Sequence, residues 1–127
     1  MDIMIQTEGL SKTYTTGAGE IRALCNATIS IPRQSFTAII GRSGSGKSTL
    51  MNLLGLLDKP SEGKYYLNGL CVTGMSARSQ AELRSRYIGF VFQSFYLIPR
   101  LTAEDNVCIP LLYRGFPRDE QLRNEMA

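Results

Sequence analysis

Eight residues carry the clearest chemistry in the chain: Gly41-Arg42-Ser43-Gly44-Ser45-Gly46-Lys47-Ser48 fits the spacing G-x-x-x-x-G-K-[ST]. Glycines in such a loop let the backbone take positive φ and approach a ligand closely, so that successive N–H groups point inward and form an anion nest at a helix start. Lys47 supplies a mobile positive charge for the β- and γ-phosphates of a nucleotide, Ser48 presents its hydroxyl to Mg²⁺, and Thr49 helps hold the loop through phosphate or backbone. The nucleotide-binding set is therefore Gly41, Arg42, Ser43, Gly44, Ser45, Gly46, Lys47, Ser48 and Thr49. The alternative is a chance flexible turn, which at average glycine usage yields the four fixed positions in roughly one chain of this length in a few hundred.

A loop of this kind needs a strand before it and a helix after it. Phe36 to Ile40 is a short apolar run with one Thr, the signature of a strand buried on both faces of a parallel sheet, and it ends at Gly41. From Lys47 the apolar period changes to nearly four (Leu50, Leu53, Leu54, Leu57), predicting a helix that fades at Asp58-Lys59-Pro60. Asp58 closes an apolar run but reads as a helix-end residue. A second buried-type run, Tyr87 to Phe92, delivers Gln93 at its C-terminal end, where open α/β sheets hold their ligands.

Upstream, Ile3, Ile5 and Thr7 alternate with Met4, Gln6 and Glu8 in a strand running toward Leu10, Gly17 to Gly19 mark a loop, and Arg22 to Ile31 form a second strand. The two are expected to pair antiparallel. Lys64 to Val72 reads as a strand with a turn at Asn68-Gly69, and Ser79 to Arg86 as a polar helix. Thr102 with Glu104 and Asp105 marks a helix start, and Pro117 opens a helix still running at Ala127.

With 127 residues, 43% hydrophobic and 20% charged, the chain suits one globular domain or part of one. A net charge of +3 from scattered residues gives no reason to expect nucleic acid as a partner. No apolar stretch approaches the roughly 20 residues that span a bilayer, and the N-terminus lacks the basic start and apolar core of a secretion signal, so a cytosolic location is expected. Cys25, Cys71 and Cys108 show no C-x-x-C spacing and are expected to be buried thiols.

Tyr14 is expected on the loop after the first strand, where its ring could stack on a flat base, an interaction of ~1–3 kcal/mol in nucleic-acid complexes, or simply pack. Here the chain resembles the ATP-binding subunits of ABC transporters, in particular the lipoprotein-releasing, macrolide-exporting and cell-division subgroup. The resemblance runs over essentially the whole chain through Leu10-Ser11-Lys12-Thr13-Tyr14, Arg22-Ala23-Leu24, Gly41 to Thr49, Leu53 to Pro60, Ile88 to Gln93 and Leu101 to Val107. It departs at Arg42, where the family commonly has proline, and at Pro32-Arg33-Gln34-Ser35, which replaces a glycine-containing turn.

The resemblance implies an α/β P-loop NTPase of the ABC ATPase type. Its expected parts are an antiparallel β region at 1–35, a P-loop core at 36–93 reaching the glutamine loop, and the start of a helical subdomain at 94–127. It implies that Tyr14 stacks on adenine and that Gln93 reaches the metal and the attacking water. ATP and Mg²⁺ are the implied cofactors, with Ser48 and Gln93 on the metal. The implied partners are a membrane-spanning permease, docking through Gln93 to Ile98, and a second ATP-binding subunit, and the implied place is the inner face of the cell membrane. Without the family, Gln93 reads as a solvated strand end, and Phe95 to Ile98 as residues folding inward.

Hydrolysis also needs an acidic residue at the end of another buried strand and a neighbouring carboxylate. No such run is found, no L-S-G-G-Q signature, and no histidine to serve as the family's switch residue. The chain is thus expected to cover about half a domain, to bind ATP without hydrolysing it alone, to contain no catalytic residue beyond the assisting Gln93, and to be poorly soluble by itself. Two other readings are a non-catalytic or vestigial nucleotide-binding fragment and a different P-loop NTPase. The latter has neither an N-K-x-D motif nor a lid-like arginine cluster in its favour.

Overall fold

A long first strand organises the N-terminal part of the chain. In this computed structural model, which describes residues 2–115, β1 (Ile3–Thr16) turns at Gly17-Ala18 and returns as β2 (Gly19–Ala27), with Tyr14 opposite Ile21 and Leu10 opposite Ala27. The same line continues after a two-residue break as β3 (Ser30–Pro32), also antiparallel to β1. The second expected strand is therefore two strands. Thr7 explains how the break is tolerated: fully buried, its hydroxyl donates to Ala27 O at 2.9 Å and accepts from Ile29 N–H at 3.1 Å, so the interrupted backbone keeps its partners.

On the other edge of β1 lies β4 (Glu62–Leu67), which hairpins into the two-residue β5 (Leu70–Cys71). The turn is Asn68-Gly69, both at positive φ (50° and 76°), as a two-residue hairpin with right-handed strand twist requires. The antiparallel sheet, in the order β2-β1-β4-β5 with β3 beside β1, thus draws on residues 62–71 as well as the expected N-terminal segment.

The helix after the phosphate loop, α1 (Lys47–Leu54), buries Leu50, Leu53 and Leu54 and ends at Gly55. Together with Leu10, Tyr65, Leu67 and Val72 these side chains form the core of the N-terminal unit. Tyr65 fixes the helix end, its hydroxyl donating to Leu54 O at 2.8 Å, one of the carbonyls that a terminating helix leaves without a partner. Burial pushes the Tyr65 phenol well above its ordinary pKa.

The helices α2 (Ala77–Tyr87) and α3 (Ala103–Tyr113) fall where the polar and capping patterns place them. Thr102 caps α3, its side chain accepting from Asp105 N–H at 3.1 Å. The chain divides into two units, with the boundary between Gln80 and Ala81. The helix expected from Pro117 lies outside the described residues.

Two expectations fail. Phe36 to Ile40 and Tyr87 to Phe92 are not strands: Tyr87 is the last residue of α2, and residues 36–40 and 88–92 are irregular, with Phe36 97% and Ile40 91% exposed. A parallel strand exists only through neighbours that take its backbone hydrogen bonds, and no described strand pairs with either segment. Cys25 and Cys71 are exposed rather than buried, because each lies in an edge strand, and only Cys108 is buried.

Candidate functional site

The phosphate loop is built from its backbone outward. Gly46, the residue before α1, takes φ 91° in the left-handed region, and a β-carbon there would stand 2.5 Å from Ala23 O on β2. Only glycine satisfies both conditions. The loop therefore lies directly against the sheet, and the free N–H groups that begin α1 open beside it.

Lys47 curls over the loop: its ammonium donates to Gly41 O at 2.7 Å, Arg42 O at 2.6 Å and Ser45 Oγ at 3.3 Å. A cleft of about 600 Å³ lies along this surface, lined by Ser43, Gly44, Gly46, Lys47, Ser48 and Thr49 from the loop and helix and by Ile21, Arg22 and Ala23 from β2. That volume is within the range of small-ligand sites. Backbone donors at a helix start and one flexible ammonium suit a polyphosphate.

Tyr14 sits at the border of this cleft. Ile21, its partner across β1 and β2, lines the cleft, and so does Thr49 at the start of α1. The Tyr14 hydroxyl also donates to Asp58 Oδ2 at 2.8 Å, and Lys12 Nζ donates to Asp58 Oδ1 at 2.7 Å and to Lys59 O at 2.7 Å. The same ammonium stands 4.9 Å from the Tyr14 ring centroid. The hydrogen bond to Asp58 holds the Tyr14 phenol above its ordinary pKa, with burial and the carboxylate charge adding and Thr49 opposing. Burial pushes Asp58 up, but bonds from Lys12, Tyr14 and Lys59 N–H outweigh it and hold the carboxyl below its ordinary value.

Asp58 is thus not a helix-end residue. Four residues beyond Leu54, it joins Lys12 and Tyr14 from β1. The opposite charges of Lys12 and Asp58 lie 46 positions apart, and no local pattern links them.

Gln93 belongs to the second unit and is exposed in the bend after Phe92. Beyond it, Phe95, Tyr96, Leu97 and Ile98 are exposed, not folded inward. Phe92 packs edge-on to Tyr96 with centroids 4.8 Å apart, and Asn106 on α3 closes the segment. Its side-chain oxygen accepts from Ile98 N–H at 2.8 Å, and its side-chain nitrogen donates to Ile98 O, Leu101 O and Thr102 O at 3.3, 3.3 and 2.9 Å. The sequence marks Asn106 only as part of a matched stretch; its position one turn after the Thr102 cap is the signal that could have identified it.

Comparison with known proteins agrees with this geometry. Residues 24–127 match the family described as ABC transporter. The macrolide export ATP-binding/permease protein MacB of Rhodopirellula baltica is 48% identical over 118 residues, 93% of this chain and 17% of that protein. MacB of Vibrio parahaemolyticus is 42% identical over 120 residues, 94% of this chain and 18% of that protein. Among solved structures, the ATP-binding cassette MJ0796, in a dimeric post-hydrolysis state bound to ADP and Pi, superposes with a TM-score of 0.84 at 40% identity, over 94% of this chain and 55% of that one. A nucleotide-free ATP-binding cassette from an ABC transporter gives 0.71 at 30% identity, over 96% and 46%.

The chain therefore spans under a fifth of these curated relatives and about half of the solved cassettes. The phosphate loop held against β2, the antiparallel sheet and the match from residue 24 onward all agree: the chain belongs to the ABC transporter family, as part of its nucleotide-binding ATPase cassette.

Proposed function

We propose that the complete protein carrying this chain couples ATP binding and hydrolysis to export or extraction of a substrate at a membrane, and that this part grips the nucleotide. The observation that carries the proposal is the cleft where Lys47, the start of α1 and β2 converge. Loop N–H groups and the Lys47 ammonium take the phosphates, and Tyr14 stacks on the adenine. The exposed Ser48 hydroxyl, in the first turn of α1, is a hard oxygen donor suited to Mg²⁺. Ser48 and Gln93 are the residues that would hold that ion, which when bound neutralises phosphate charge.

The chain is read as an antiparallel region at 1–35, a P-loop core at 36–93 and the start of a helical subdomain at 94–127. A membrane-spanning permease docks on Gln93 to Ile98, which fits the exposed apolar residues there. A second ATP-binding subunit completes the assembly, peripheral on the inner face of the membrane. The names of the relatives support export, and the dimeric cassette supports the pairing.

In the intact protein, Gln93→Ala is expected to lower ATP hydrolysis at least tenfold, about 1.4 kcal/mol of barrier, while ATP affinity measured by calorimetry stays within about twofold. Wild-type hydrolysis by that variant contradicts the role given to Gln93.

A further inference from the structure

We propose that Asp58 and Lys12 are positioning residues for the Tyr14 ring, and so fix where the base of a bound nucleotide stacks. The proposal rests on Tyr14 being the base-stacking residue, as given above. A tyrosine at the border of a cleft could otherwise rotate about its side-chain torsions and lose its platform. Here the hydroxyl is tied to Asp58 Oδ2 at 2.8 Å and the ring is approached by Lys12 Nζ at 4.9 Å, a distance at which a cation is attracted to the face of an aromatic ring.

The two restraints are not independent, because Lys12 Nζ is held to Asp58 Oδ1 at 2.7 Å and to Lys59 O at 2.7 Å. One carboxylate thus holds both the end of the ring and the cation above it. The pair is shielded, with the Lys12 side chain 13% and the Asp58 side chain 30% exposed, so salt screens it less than a fully solvated pair. Tyr14 as a whole residue remains 37% exposed, leaving surface for a flat group to cover.

Ile21 and Thr49, which flank Tyr14, line the phosphate cleft, so a base on the ring and phosphates in the loop belong to one continuous surface. Stacking tolerates any base, since every base presents a π-face. The device should therefore set the position of the base rather than its identity, and adenine and guanine nucleotides should respond alike.

The test compares ATP with inorganic tripolyphosphate, which has no base, by calorimetry on the intact protein without Mg²⁺. Tyr14→Ala tests the stacking itself and should weaken ATP about tenfold, as ~1–3 kcal/mol of stacking implies, with tripolyphosphate unchanged. Tyr14→Phe and Asp58→Ala should each weaken ATP by roughly threefold or more with tripolyphosphate unchanged. Their combination should be little worse than Asp58→Ala alone, because Asp58→Ala already removes the link that Tyr14→Phe cuts.

Wild-type ATP affinity in Asp58→Ala and Tyr14→Phe, alongside a loss in Tyr14→Ala, overturns the positioning role and leaves the stacking intact. No loss in Tyr14→Ala overturns the stacking reading itself. An equal fall for ATP and tripolyphosphate in Asp58→Ala means that Asp58 supports the phosphate loop rather than Tyr14, and also overturns the proposal.

Discussion

The ammonium of Lys47 donates to the carbonyl of Gly41 at 2.7 Å, joining the two ends of the phosphate loop through a side chain. The same nitrogen holds Arg42 O, so two neutral acceptors already order the charge that an incoming phosphate would meet. A phosphate oxygen is a stronger, charge-assisted acceptor, and exchange onto it leaves the glycine backbone to keep the loop open.

That backbone should tolerate no side chain at Gly46. Gly46→Ala places a β-carbon 2.5 Å from Ala23 O at φ 91°. The variant should lose about 1–3 kcal/mol of stability from strain alone and bind ATP more weakly. Denaturant midpoints and calorimetry measure the two effects, and wild-type values for both contradict the close seating of the loop on β2.

Tyr65→Phe keeps the buried ring and deletes its bond to Leu54 O. The orphaned helix-end carbonyl should cost about 1–2 kcal/mol, seen as a lower thermal midpoint with ATP affinity unchanged.

Asp58 gives a pH signature. Its carboxyl is held below its ordinary value, so its contribution to stability is complete above the unfolded-state pKa and is lost as pH falls through the lower folded-state value. The stability difference between wild type and Asp58→Asn, under about 1 kcal/mol for a partly exposed pair, should be constant from neutral pH down to the carboxylate range and vanish below it. A difference that persists in strong acid contradicts the assignment.

Local chemistry was legible and non-local chemistry was not. The phosphate loop, the Asn68-Gly69 turn and the Thr102 cap each depend on a few adjacent residues, and all three stand where their patterns put them. The pairing of the first two strands followed from alternation, but the break between β2 and β3 depends on buried Thr7, which looks like any other inward strand residue. The apolar runs at 36–40 and 87–92 carry strand composition without a described ladder partner. At the site, Lys47 could be placed from its motif, whereas the bond from Tyr14 to Asp58 spans 44 positions and required the fold.

Asn106→Ala should release the exposed apolar segment that its side chain holds at Ile98, Leu101 and Thr102. Amide hydrogen exchange at Ile98 should quicken by tenfold or more, the effect of about 1.4 kcal/mol, while exchange in β1 and β4 is unchanged. Unaltered exchange at Ile98 contradicts the clamp.

The central claim is that the Lys47 loop grips nucleotide phosphates, and ATP titration into the intact wild-type protein, Lys47→Ala and Cys25→Ser, followed by calorimetry, tests it most directly. Wild type and Cys25→Ser should bind alike, because Cys25 is exposed on β2 and does not line the cleft, and Lys47→Ala should show no measurable binding. Equal affinity in all three proteins would contradict the account.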